Sequence, residues 1–195
     1  MAEGLDLGAA ARVFGHGEGA LRTWLTRAGL QADGLHRRTL HDLSIFHLQF
    51  DELRTTLRDK SQELWLWLAI DPTTKLIPVL ALGPRTLDVA LQVVHALAQM
   101  LAAGCLPVFT SDGLDLYYYA LIAHFGCWVK EVGQSKARWQ VAADLLYAQV
   151  KKTYHHRKLS RVEARERCGT LEQGQNAPAT IGLLRPHSNG IYRAA

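Results

Sequence analysis

The sequence predicts an α/β fold, a mixed sheet with helices against it, preceded by a small helical segment and followed by a long basic helix. Three observations carry that expectation. Leu64–Ile70 reads LWLWLAI, a near-continuous apolar run of the kind shown by a strand buried on both faces. Arg85–Ala103 spaces Leu87, Leu91, Val94, Leu97 and Leu101 at helical intervals. Strand-like and helix-like segments then continue to alternate, with glycine, proline and aspartate between them.

Taken in order, residues 5–14 and 19–28 are two short helical patterns separated by GHGEG. The first places Leu7, Ala10, Ala11 and Phe14 on one face, and the second Leu21, Trp24, Leu25 and Ala28. Gly29 is expected to end the second helix. Two short helices with a glycine-bearing turn are the minimum of a helix-turn-helix, although an ordinary helical hairpin looks similar. In a helix-turn-helix the second helix enters the major groove, with Arg22, Thr23, Thr26 and Arg27 on its outward side. Otherwise these four are simply surface residues.

Phe46–Leu57 alternates in part and reads as a strand, followed by Leu64–Ile70. DPTTK is a turn, with Asp71 and Pro72 in favoured positions, and Leu76–Leu82 is the returning strand. After the helix over Arg85–Ala103, Gly104 leads into the short apolar strand Leu106–Thr110 and then a helix over Leu114–Phe125. Three antiparallel strands, a crossover helix and a parallel strand can be assembled in few ways. A ribonuclease-H-like sheet is one of them. Trp139–Arg167 is read as one long helix, and residues 169–195, rich in glycine, proline and polar residues, as a loosely ordered tail.

The charge is unevenly placed. Lys130–Arg167 holds ten basic residues against four acidic ones, so this stretch carries more than the whole chain's net charge of +4. A phosphate backbone is the commonest target of such a segment, a solvated face the plain alternative. Within it Lys151, Lys152, Arg157 and Lys158 are the candidate DNA contacts. Cys105, Cys127 and Cys168 have neither disulfide-framework nor zinc spacing, and they fit reduced thiols in a cytoplasmic protein. No secretory signal opens the sequence, and no apolar run is long enough to suggest a membrane partner.

Two carboxylates stand where metal-assisted phosphoryl transfer would need them. Asp51 lies mid-strand in LQFDELRT, where a buried charge is otherwise costly, and Asp112 follows a short strand in TSDG. Either has a plainer reading, Asp51 as a solvent-facing edge residue and Asp112 as a turn residue. Asp71 competes as a first ligand because it follows the most apolar strand, but its DPTT context favours a turn role.

The blocks LQFDELRTTLR, LWLWLAIDPTTKLIPVLALGPRT and LPVFTSDGLDLYYYAL resemble the transposases of insertion sequence one. The resemblance runs in order from about Ala11 to Gly169 and is most specific at DEL, GPRT and TSDG. It implies a helix-turn-helix over residues 1–43 and a ribonuclease-H-like core over residues 44–168 with an Asp-Asp-Glu triad. Asp51 and Asp112 take the first two catalytic, metal-holding places, with Glu52 in support. Two Mg2+ or Mn2+ ions and double-stranded DNA, both element ends and target, are the implied cofactors and partner, with a homodimer also in view.

Two departures stand out. The family's cysteine-bearing zinc segment has no counterpart here, and no Glu-Arg block follows Asp112. The tail beyond Gly169 reads like a truncated or frame-shifted copy, so the expectation is a defective transposase. Glu163 and Glu166 are the nearest substitutes for the third acid, in a context, SRVEARER, that does not match. The alternatives are a non-catalytic DNA-binding protein and a structure-directed nuclease on the same core.

Overall fold

Alternation along one strand sets the architecture. In HLQFDELRTT the side chains of Leu48 and Phe50 are fully buried while Gln49 is exposed, which gives this strand one covered face. The structure, a computed structural model, describes residues 5–56, 63–155 and 158–169. The described residues divide into two compact units, one on each side of the boundary between His41 and Asp42.

The first unit holds α1 (Leu7–Phe14) and α2 (Glu18–Thr39). Asp6 caps α1 by accepting from the Ala9 N–H at 2.6 Å, and Gly15 ends it in the left-handed conformation. The helix expected to stop at Gly29 runs ten residues further, to Thr39. An interior glycine costs only about 1 kcal/mol of helix propensity, which a favourable flank such as LQAD outweighs.

The second unit begins with β1 (His47–Thr56), β2 (Glu63–Ile70) and β3 (Val79–Gly83). After them come α3 (Leu87–Met100), β4 (Val108–Ser111) and α4 (Asp115–His124). A small antiparallel hairpin, β5 (Gly126–Val129) and β6 (Arg138–Val141), precedes β7 (Leu146–His155) and β8 (Lys158–Cys168). The main sheet has the order β3-β2-β1-β4-β7-β8. As expected, β1, β2 and β3 are consecutive antiparallel strands, and β4 runs parallel to β1. β7 is parallel to β4, and β8 returns antiparallel to it.

The long basic helix predicted over Trp139–Arg167 is not formed. Its residues make β6, β7 and β8 instead. Tyr147, Val150, Thr153 and Val162 favour an extended chain, and strand pairing overrides the helix preference of the alanine, lysine and glutamate among them. The tail expectation concerns positions that, from 170 onward, lie outside the described residues.

The core lies between one face of the sheet and the helices α3 and α4. Phe50 stacks between Phe109 at 5.7 Å and Tyr117 at 4.5 Å, and Trp67 meets Tyr117 edge-on at 5.6 Å. Val93, Val94 and Leu97 from α3 and Ala120 and Leu121 from α4 close over this column. Gly126 is required by close approach, since a Cβ there would lie 2.6 Å from the Trp139 ring. No described helix is long and apolar enough to cross a membrane.

The packing makes the middle ring of the column the most sensitive position. Phe50→Ala empties it and should cost about 3–5 kcal/mol in urea unfolding. A decrease below 1 kcal/mol would contradict the central place given to that ring. A second prediction concerns His47, which is buried with Nε2 2.8 Å from Thr110 Oγ1. Burial lowers its pKa, the Asp71 charge opposing in part. The folded chain thus holds His47 neutral, and the unfolded chain takes up the proton more readily. Its contribution is complete above the ordinary histidine pKa and is lost as pH falls from there through the lowered folded value. Stability measured from pH 8 down to pH 5 should decline less steeply in His47→Gln than in the natural chain.

Candidate active site

Parallel pairing sets β4 beside the first half of β1. Gln49 pairs with Thr110, and continuing the register two residues brings Asp51 level with Asp112. Asp51 pairs with Leu68 of β2 and is half-buried. Its Oδ1 accepts from the Glu52 N–H at 2.9 Å. Asp112 is exposed at the head of α4, where its Oδ1 accepts from the N–H groups of Gly113 at 2.7 Å and Leu114 at 3.1 Å. That is an Asx turn, so the plainer reading of Asp112 also holds for one of its oxygens.

Strand alternation sends Glu52 to the covered face, next after Phe50 in that row. Its side chain is only 2% exposed. Oε2 accepts from Arg85 at 2.8 Å, whereas Oε1 is buried with no hydrogen-bond partner. Arg85 also lies over the Trp65 ring, 4.7 Å from its centre. Burial raises the Glu52 pKa and the Asp112 charge adds to this, while Arg85 pulls the other way. The Tyr117 hydroxyl donates to the Asp51 carbonyl at 3.5 Å. Its pKa is raised by burial first, and then by the charges of Glu52, Asp112 and Asp51. These three carboxylates therefore all lie within electrostatic reach of one buried phenol.

A polar network continues across β4 and β7. Ser111 Oγ and Tyr147 Oη are 2.7 Å apart. Arg167 donates to Asp115 Oδ1 at 2.7 Å and to Gln149 Oε1 at 3.3 Å, and Gln149 donates to Asp115 at 3.3 Å. Asp71 has the turn role its context indicated. It accepts from the Thr73 N–H at 2.9 Å and from the Thr74 hydroxyl at 2.7 Å.

Among the candidate DNA contacts, Arg22, Thr23, Thr26 and Arg27 are exposed on α2. Arg22 pairs with Glu18 at 2.9 Å, and the hydroxyls of Thr23 and Thr26 turn back to the carbonyls of Gly19 and Arg22. Lys151 is exposed on β7, Lys152 follows it, Lys158 opens β8, and Arg157 lies outside the described residues. The sequence by itself assigns no roles to Arg85, Tyr117, Asp115 or Gln149. Arg85 sits in the GPRT block and Tyr117 in LDLYYYAL, but neither block shows which side chain turns toward β1.

Oxygen donors such as Asp51 and Asp112 suit a hard divalent ion. Among the described residues no group of three or more histidine, cysteine, aspartate or glutamate side chains is arranged to hold a metal. No protein-family profile matches the chain, and no curated protein or solved structure matches it.

The ion pair generates a prediction. Arg85→Ala leaves a buried carboxylate without its charged donor and should cost about 1–3 kcal/mol at neutral pH. Because burial already favours the protonated form of Glu52, this cost should shrink as the pH is lowered and the carboxyl takes up its proton. In a Glu52→Gln background the pH dependence should vanish. Urea titrations from pH 7 to pH 4 read both effects, and a cost that is flat with pH in the natural background would be inconsistent with this pairing.

Proposed function

We propose that this chain is a DNA transposase of the Asp-Asp-Glu type, built on a ribonuclease-H-like sheet, with Asp51 and Asp112 as its metal-holding pair. One observation carries the reading: β1 and β4 are adjacent parallel strands whose register, continued past Gln49 and Thr110, brings Asp51 in the middle of β1 level with Asp112 just beyond β4. The sheet order β3-β2-β1-β4-β7 has the three-strand meander followed by two parallel strands that such a core requires. The helix pair α1 and α2 supports a helix-turn-helix, with Arg22 and Arg27 exposed on the second helix.

Bound Mg2+ or Mn2+ would activate a water or 3′-hydroxyl and stabilise the leaving oxygen. The chain's own residues do the positioning. The Asx turn fixes Asp112 at the head of α4, and strand pairing with β2 fixes Asp51 in the middle of β1. Glu52 and Arg85 hold the neighbouring stretch of β1 to the segment leading into α3 by an ion pair whose carboxylate is buried and whose guanidinium is partly exposed. The sequence offers no third acid in a matching context, so turnover should be slow, about 10²–10³ below a three-carboxylate site.

The experiment is a single-turnover nicking assay on duplex DNA carrying candidate element ends, with Mg2+ or Mn2+. We expect faint metal-dependent nicking that Asp51→Ala and Asp112→Ala each abolish and Asp71→Asn, in a folded variant, leaves intact. Cleavage that survives Asp112→Ala would overturn the site. Salt-sensitive DNA binding with no nicking at all would instead favour a non-catalytic DNA-binding protein, a reading that the exposed basic surface of β7 and β8 supports.

A further inference from the structure

β4 pairs with β7 only from Leu146 to Gln149, whereas the β7–β8 pairing continues to His155 and Lys158. From Val150 onward, among the described residues, β7 and β8 are a ribbon of two strands with no third strand beside them. Six residues, Val150–His155, carry it about 20 Å past the end of β4, level with the second half of β1, at roughly 3.3 Å per residue.

We propose that this β7–β8 ribbon enters the major groove of double-stranded DNA and holds the duplex over Asp51 of β1 and Asp112 just beyond β4. The inference rests on the DNA-directed reading above and adds to it the element, the groove and the residues. A groove about 12 Å wide admits a two-stranded ribbon, whereas one about 6 Å wide does not. On one face of the ribbon Lys151 is opposite Glu163, and Thr153 opposite Arg161, before the register shifts between Thr153 and Tyr154. Lys151, Thr153, His155 and Arg161 are all exposed. The Arg161–Glu163 pair at 2.7 Å is solvent-exposed and therefore worth little, so Arg161 exchanges it readily for a phosphate or a guanine edge.

The root of the ribbon is held firmly. Arg167 is 13% exposed, bonds Asp115 and Gln149, and covers the Tyr118 ring with its guanidinium 4.2 Å from the ring centre. Gln149 pairs with Ser111, the residue before Asp112. A duplex seated on the ribbon is thereby registered against the acid end of β4. This also gives the basic charge of Lys130–Arg167 a direction, because on a ribbon it alternates between two faces instead of circling a helix.

The test uses the full chain and a 30-base-pair duplex, with binding read by fluorescence anisotropy over a range of salt. Lys151→Ala/Arg161→Ala should weaken binding and reduce the magnitude of the slope of log K against log salt by about 2, one for each phosphate no longer neutralised. Lys151→Arg/Arg161→Lys should restore the slope, and circular dichroism and urea unfolding should show both variants folded. Methylation of guanine N7, which lies in the major groove, should reduce binding, and a minor-groove ligand should not compete. A natural chain that binds no duplex would remove the DNA reading and this inference with it. Binding with an unchanged slope in the alanine variant would overturn the ribbon alone. Displacement by the minor-groove ligand would overturn the groove.

Discussion

The rest of the second unit depends on the stack of Phe109, Phe50 and Tyr117. These rings come from β1 and from β4 and α4, which follow one another far along the chain from β1, and they are fully buried at ring separations of 5.7 and 4.5 Å. A parallel pair of strands needs a long connection, here through β2, β3 and α3, and its closure entropy must be offset by contacts made once the strands meet. The stack supplies those contacts at the point where β1 and β4 run side by side. Asp51 follows Phe50 directly, and Asp112 lies three residues beyond Phe109. The apolar column therefore fixes the register of the acids, although it contains none of them.

Much of the fold is legible in the sequence because burial leaves a periodic mark. LWLWLAI has both the length and the apolar continuity of an inner strand, and the leucine and valine spacing of Arg85–Ala103 marks a helix with one buried face. DPTT names a turn by chemistry, and the Asp71 carboxylate is indeed used by Thr73 and Thr74. Where the marks are weaker, the boundaries move. The returning strand begins at Val79 rather than Leu76, because Asp71–Leu76 is taken up by the turn, with the Asp71 N–H donating to the Leu76 carbonyl.

The region after Trp139 misleads for a physical reason. Its apolar residues are too few to set a period, so composition decides, and alanine, lysine, arginine and glutamate favour a helix. What makes the segment extended is non-local. Leu146–Gln149 complete an inner position of the sheet beside β4, and once they are placed the following residues can pair only with β8. Cross-strand pairs such as Lys151 with Glu163 then stabilise what local propensity opposes. The charge is visible in the sequence, but the element bearing it is not.

The two adjacent acids of β1 show how much a single step along a strand decides. Asp51 shares its face with Leu53, Leu66, Leu68, Leu80 and Leu82, of which Leu53, Leu80 and Leu82 are more than half exposed. That face is open, and the carboxylate on it remains within reach of water and solutes. Glu52 shares the opposite face with Phe50 and Trp67, beneath the helices, and its carboxylate is enclosed and tied to Arg85. A buried carboxylate with one oxygen unpartnered is costly, so its pairing with Arg85 constrains where α3 can begin. Chemically the residues are near-twins, and residue type alone offers no reason to separate them. The pleat separates them, leaving one half-buried on the open face and using the other to hold β1 against the segment leading into α3.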